Sequence, residues 1–327
     1  SWKFTLIQLC LSPISFIVAN KLGKSVRPLF VQARMQLSKL NTVVNENDKD
    51  IFYTSLYHCF VVPNLYSDVD GRYRAHDKKV YQSDRPRYTV FSLWDTFRTE
   101  HPLLSLIQRE RSIDIINTFI NNYETGGLLP VWELAANETN CMIGYHAIPV
   151  IADAYFCGLE GIDYEKALEA MVKTAREDQF GLSCYKEYGF IPSNCEGESV
   201  SKTLEYAYDD WCIARLAEAL GKEELANEFY QRAQYYKNLY EPKDKFFRGK
   251  RNGCFVTPFD PTQVNFMLTE ANTWQYNFFV PQDINTHIEM MGGTTAYTRK
   301  LNELFNSSSE LTGRVQSDIT GLIGQYA

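Results

Sequence analysis

From residue 48 onward the chain repeats one pattern: an apolar stripe at helical spacing, a break, and another stripe. Ile113, Ile116, Phe119 and Ile120 show the spacing, with steps of three and four that set such residues on one face of a helix. Asn47 or Asp48 can cap a first helix that runs through DIFYTSLYHCFVV and is closed by Pro63. The same pattern predicts helices over 95–108, 112–123, 141–157, 163–178, 199–220, 223–240 and 284–305. Convincing strand alternation is scarce. Helices joined in turn by short connections and longer loops are expected to pair and stack about an axis, as in an α/α toroid, with the long loops gathered at one end. A helical solenoid would repeat with a period of roughly 34 to 45 residues, and no such repeat is present.

The long loops hold the distinctive chemistry. They are DVDGRYR (68–74), SLWDTFRTEHPL (92–103), GGLLPVWELAANETN (126–140), PSNCEGES (192–199) and TEANTWQYNFFVPQD (269–283). Each mixes carboxylates with Trp, Tyr, Asn or Arg, the lining expected of a carbohydrate cleft. Aromatic residues make up 14% of the chain, which suits rings that stack on pyranose faces but equally suits an ordinary core.

Within 269–283, Glu270, Asn272, Trp274, Gln275 and Tyr276 are flanked by apolar residues on both sides. A carboxyl in such surroundings is expected to hold its proton longer, as a general acid acting on a glycosidic oxygen must. As plain structure, Glu270 is a helix-starting or ion-paired side chain. Trp94 beside Asp95 offers an indole to stack on a hexose and a carboxylate to accept two hydroxyls; Asp95 also reads as the cap of the helix that begins there. The Asp68 and Asp70 pair resembles the start of a calcium loop, but the later ligands are missing, so a tight turn with internal Asp and Arg pairing is expected. Asn137 opens an N-E-T sequon and is read as a structural or ligand-facing amide.

Several classes are excluded. The net charge is −7 with no basic block, which argues against a nucleic-acid partner. The five histidines are scattered, and the eight cysteines include no CxxC, so zinc sites and dithiol chemistry find no support. Most cysteines are expected to be buried free thiols, with a bridge from Cys184 to Cys195 left open. No GxSxG, P-loop or GxGxxG occurs. The apolar stretch 4–19 is too short to span a membrane, and Pro13 interrupts it as a signal peptide.

Taken together, these segments resemble glycoside hydrolase family 92 over residues 38 to 327. The stretches that carry the resemblance are IFYTSLYHCFVVPNLYSDVDGRYR, YTVFSLWDTFRTEHPLL, GGLLPVWELAANETNCMIGYHAIPVIADAY, KTLEYAYDDWCIARLA, EANTWQYNFFVPQD and DITGLIGQYA, in the family's order. The resemblance implies a mainly α fold, an (α/α)6 toroid over 46–327 truncated at its C-terminal end. Residues 1–45 would be a linker or the remnant of an upstream β-sandwich domain. It also implies a calcium-dependent, inverting exo-α-mannosidase acting on mannose-containing glycans, with α-1,2 linkages expected, and a secreted or periplasmic setting.

By the same resemblance Glu270 is the general acid, in a segment where Ala271 replaces the family's usual Gly. Trp94 and Asp95 fall in the terminal-mannose pocket; Glu133, Glu138 and Trp274 are further substrate-contacting candidates, and Asn272 and Gln275 are calcium candidates. The family's His-Gly-Asn-Glu-Pro segment and its later catalytic base are not among these 327 residues. The chain read alone is therefore expected to lack the base, and a non-catalytic remnant that at most binds mannose weakly is the alternative.

Overall fold

The computed structural model describes residues 46–307 and 310–315. The chain divides into two compact units, residues 1–62 and 63–327. In the first unit the described element is helix Glu46–His58, which ends five residues before Pro63. The expected β-sandwich remnant at 1–45 lies outside the described residues.

The second unit is built mainly of helices. Its centre is helix Ser199–Ala219, buried along nearly its whole length and on every face, including Lys202, Glu205, Asp209 and Asp210. Around it pack helices Ala147–Phe156, Tyr164–Ala175 and Glu223–Arg232 and the short 3₁₀ helix Tyr235–Leu239. An all-round buried helix is the inner layer of a fold, whereas an amphipathic one covers it. Tyr164–Ala175 is of the covering kind: Asp163 caps it by accepting the Lys166 N–H at 3.0 Å, and Ala167, Leu168, Ala170 and Met171 face inward.

The predicted helical stretches are helical, with shifted ends, but the one read over 95–108 is two helices, Leu93–Thr96 and Glu100–Ile107. The stretch read as one helix over 284–305 is two, Ile284–Met290 and Thr294–Asn306. Between them Gly292 and Gly293 take φ of 95° and 94°, a left-handed backbone that breaks the ladder. The stretch 223–240 also divides, because Tyr236 and Leu239, three apart, are buried on one edge of a 3₁₀ turn. Helix Arg109–Gly126 is longer than expected and stops at Gly127, in the left-handed conformation. Helix Leu182–Tyr188 was not anticipated. Among the described residues, strands are confined to two- and three-residue pairs.

These small pairs join the long loops. Phe91 pairs with Glu133 and Ser92 with Trp132, holding loop 92–103 against loop 126–140. Arg74 of the 68–74 turn donates to the Ala135 carbonyl at 2.9 Å. On the other side, the Glu198 and Val200 N–H groups donate to the Phe266 and Met267 carbonyls at 2.6 and 2.9 Å, so loop 192–199 abuts the approach to Glu270. A disulfide between Cys184 and Cys195 ties helix Leu182–Tyr188 to that loop. Of the free cysteines described, Cys212 is buried while Cys141 and Cys254 are exposed, so the expectation of buried thiols holds only in part.

Candidate active site

The site is organised around Glu205. Glu205 and Asp209 stand one turn apart on helix Ser199–Ala219, on the same face, and both are fully buried. Glu205 Oε1 accepts the Trp94 indole N–H at 3.0 Å, the Tyr276 hydroxyl at 2.7 Å and an Arg98 N–H at 3.3 Å. Its other oxygen lies 2.6 Å from His146 Nε2, and His146 Nδ1 lies 2.8 Å from Asp209 Oδ1. The Tyr145 backbone N–H donates to Asp209 Oδ2 at 3.0 Å, and the Phe97 ring stacks on His146 with centroids 4.0 Å apart. One carboxylate thus touches the segment of Trp94 and Asp95, the segment of Glu270, and the start of helix Ala147–Phe156.

Burial alone would depress the His146 imidazole; the flanking carboxylates outweigh it and raise the ring to about 9. Burial also pushes against the Glu205 anion, but contacts from His146, Arg98 and Tyr276 hold its carboxyl below the usual range. Gly144 makes room for this arrangement. A Cβ there would lie 2.2 Å from His146 Nε2, and its φ of 80° suits only glycine well. A second buried network lies one residue on: Asp210 accepts from Tyr145, Tyr185 and Arg232 at 2.8, 3.1 and 2.9 Å.

Glu270 lies in the neighbouring segment with φ of 46°, left-handed for a residue that carries a side chain. Such backbone costs on the order of 1–3 kcal/mol and is kept where the surroundings over-determine it. The residues on either side are anchored. Before it, the Thr269 N–H donates to Ser201 Oγ at 2.9 Å; after it, Ala271 is buried and Asn272 caps helix Thr273–Tyr276. Glu198, on the abutting loop, is also left-handed at φ 55°, and burial raises its carboxyl. Glu270 and Glu198 are thus two constrained carboxylates on touching loops.

The other nominated residues fall in three places. Asp95 is not the helix cap: Ser92 occupies that position, and Asp95, in the first turn of helix Leu93–Thr96, accepts the Ser92 hydroxyl. Trp94 is 1% exposed, with the Arg98 guanidinium 5.0 Å from its ring. A ring so enclosed has little face to offer a hexose. Trp274 packs edge to face on Phe246 at 4.8 Å, under the Lys300 ammonium.

Glu133 is buried and accepts from the Thr89 hydroxyl and the Ala136 N–H; burial raises it to about 7. Glu138 turns both oxygens onto the backbone N–H groups of Val131, Trp132 and Asn140. Both shape loop 126–140, and Glu138 also edges a cavity of about 240 Å³ that Tyr145 and Tyr206 line. Asn137 holds the same loop, donating to the Leu134 and Ala135 carbonyls and accepting from Lys78.

Asn272 and Gln275 form a reciprocal capping box. Asn272 Oδ1 accepts the Gln275 N–H at 3.2 Å, and Gln275 Oε1 accepts the Asn272 N–H at 2.7 Å. Calcium takes oxygen ligands, and each of these amide oxygens already accepts one backbone N–H, which leaves it one lone pair for a cation. Among the described residues no group of three or more His, Cys, Asp or Glu side chains is arranged to hold a metal ion.

His146, Glu205 and Asp209 were not singled out from the sequence. The signal was there: in KTLEYAYDDWCIARLA, Glu205 and Asp209 stand at a four-residue step, with Asp210 beside them, among Leu, Ala, Tyr and Trp. Their partners at 94, 98, 146 and 276 are far apart in the chain and carried no sign of it.

Comparison with known proteins identifies relatives of the chain. Residues 33–327 match the glycosyl hydrolase family 92 catalytic domain. The structure is similar to a family GH92 α-mannosidase from Bacteroides thetaiotaomicron in complex with mannoimidazole, at 42% identity and TM-score 0.78, covering 84% of this chain and 38% of that one. It is also similar to a family GH92 inverting mannosidase of the same organism, at 34% identity and TM-score 0.74, covering 79% of this chain and 37% of that one. An uncharacterized secreted glycosidase from Arthroderma benhamiae is 29% identical over 270 residues, 70% of this chain and 34% of that protein. The chain therefore spans about a third of the length of these relatives.

Proposed function

Because the chain belongs to glycosyl hydrolase family 92, we propose that it serves in an exo-α-mannosidase that removes terminal α-linked mannose with inversion, Glu270 acting as general acid. The observation that carries this reading is the placement of Glu270: a left-handed glutamate between two anchored residues, in a segment tied through Tyr276 and Glu205 to the segment of Asp95. In this reading the helices of the second unit form part of an (α/α)6 toroid, with the joined loops at its mouth.

Asp95 accepts hydroxyl hydrogen bonds from the terminal sugar, next to the enclosed Trp94. The Glu270 carboxyl delivers its proton to the glycosidic oxygen as the C–O bond lengthens and an oxocarbenium-like ring develops. An inverting enzyme needs a second carboxylate, roughly 6.5–9.5 Å from the acid, to activate water on the opposite face. That role is assigned to no residue of this chain. Calcium dependence and an α-1,2 preference belong to the same proposal through the family. Calcium, when bound, would bind vicinal sugar hydroxyls and favour a distorted ring. No residue described is assigned to its shell. Secretion is proposed from the likeness to the secreted glycosidase.

The test is hydrolysis of α-linked mannobioses by the full protein, with proton NMR following the anomer first released. Release of β-mannose supports the proposal, and a faster α-1,2 dimer supports the linkage. Release of α-mannose first would overturn inversion. Binding of mannose with no release would leave the chain a mannose-binding remnant.

A further inference from the structure

We propose that Glu205, locked in place by a doubly donating His146, is a positioning residue that holds the sugar-contacting segment 92–98 in register with the acid-bearing segment 269–276. The inference rests on the mannosidase reading for its catalytic consequence, but its geometry stands apart from it. Trp94, Arg98 and Tyr276 converge on a single oxygen, Glu205 Oε1, across 111, 107 and 71 positions of sequence. Trp94 is bonded to Asp95 through the chain, and Tyr276 closes the short helix that follows Glu270. A shift of Glu205 would therefore move both segments, and misplacement of about 1 Å at a reacting centre costs about 100-fold in rate.

Glu205 is kept still by His146. Both imidazole nitrogens face carboxylate oxygens, Nε2 at 2.6 Å from Glu205 and Nδ1 at 2.8 Å from Asp209. A neutral imidazole has one N–H, so one of the two carboxylates would then face a lone pair. With both carboxyls ionised, the arrangement is satisfied by the imidazolium. The charged groups around it are Glu205 and Asp209 from helix Ser199–Ala219 and Arg98 from the 92–98 side, the last acting through Glu205. Phe97 covers the ring face, and the uncharged Tyr276 hydroxyl shares Glu205. Two cations and two anions close the network without net charge. The elevated value of the His146 ring agrees with this.

Loss of the proton from His146 should thus loosen Glu205 and, through it, Trp94. The experiment follows the Trp94 indole N–H and the His146 ring by NMR in the full protein, across pH 6 to 10.5, in the wild type and in Asp209→Asn. In the wild type the Trp94 indole signal is expected to move with the midpoint of His146, and kcat/KM on an α-mannoside to fall through the same midpoint. In Asp209→Asn the ring loses one carboxylate, and all three midpoints should move together to lower pH. A purely structural role would lower thermal stability without shifting the kinetic limb.

Should Asp209→Asn fail to fold, Tyr276→Phe removes one donor to Glu205 while keeping the ring. It is expected to lower kcat about 10- to 100-fold with little change in KM. A Trp94 indole that does not follow His146, or an unchanged kcat in Tyr276→Phe, would overturn the proposal. A wild type that hydrolyses no α-mannoside would sink the mannosidase reading instead, and the indole titration would still decide the positioning.

Discussion

Asn272 and Gln275 hold each other: each side-chain oxygen accepts the other residue's backbone N–H, at 3.2 and 2.7 Å. The box starts helix Thr273–Tyr276 two residues after Glu270 and sets the direction in which the chain leaves the strained position. Asn272→Ala is expected to cost about 0.5–2 kcal/mol, read by urea denaturation. Asn272→Ser keeps a capping oxygen without adding a buried charge and should lose less than Asn272→Ala. Calcium titration separates the two roles, because a residue that only caps leaves calcium affinity unchanged in both variants.

Glu270→Gln removes the proton a general acid must supply. On a mannoside with a poor leaving group, turnover should fall by at least ~100-fold. On an activated aryl mannoside, which needs little protonation, the loss should be much smaller. Equal losses on the two substrates would take the acid role away from Glu270.

The pH dependence of stability should carry the mark of His146. Its folded value, about 9, stands above the ordinary 6.5, so the imidazolium stabilises the folded state fully below pH 6.5. That contribution is lost as pH rises through about 9. Glu205 acts at the other end: its lowered carboxyl stabilises above the unfolded carboxylate value and loses that contribution as pH falls. Thermal melts of the wild type should therefore decline on the alkaline side, and His146→Gln should flatten that decline. The same variant should be less stable by about 3–5 kcal/mol near neutrality, since it leaves buried carboxylates without their cation.

Cys184 and Cys195 close a short loop, 11 positions apart, next to Glu198. Replacing both with Ser should lower unfolding free energy by about 2–4 kcal/mol, measured by denaturation with and without reductant. Reductant should have little effect on the double variant.

The helical framework was legible because helix formation is local: apolar steps of three and four, Asp163 as a cap and Gly127 as a stop act within a few residues. The break at Gly292 and Gly293 was written in the sequence too, though the apolar pattern on either side of it read as one helix. Glu270, Asp95 and their segments stood out because carboxylates beside Trp and Asn are unusual in loops. The Cys184–Cys195 bridge could only be left open, since pairing depends on where two chain segments meet.

What tertiary structure alone decided is how those segments are joined and which polar atoms remain available. Asn272 and Gln275 read in the sequence as calcium candidates, and folding also makes them a capping box; Trp94 reads as a stacking platform and is an enclosed donor to Glu205. Glu205 is one more helical glutamate until folding brings Trp94, Arg98, His146 and Tyr276 to it. The physical reason is range: spacing along a chain reports which face of an element a residue lies on, whereas the pairing of a buried charge depends on residues a hundred positions away that only packing brings within hydrogen-bond distance.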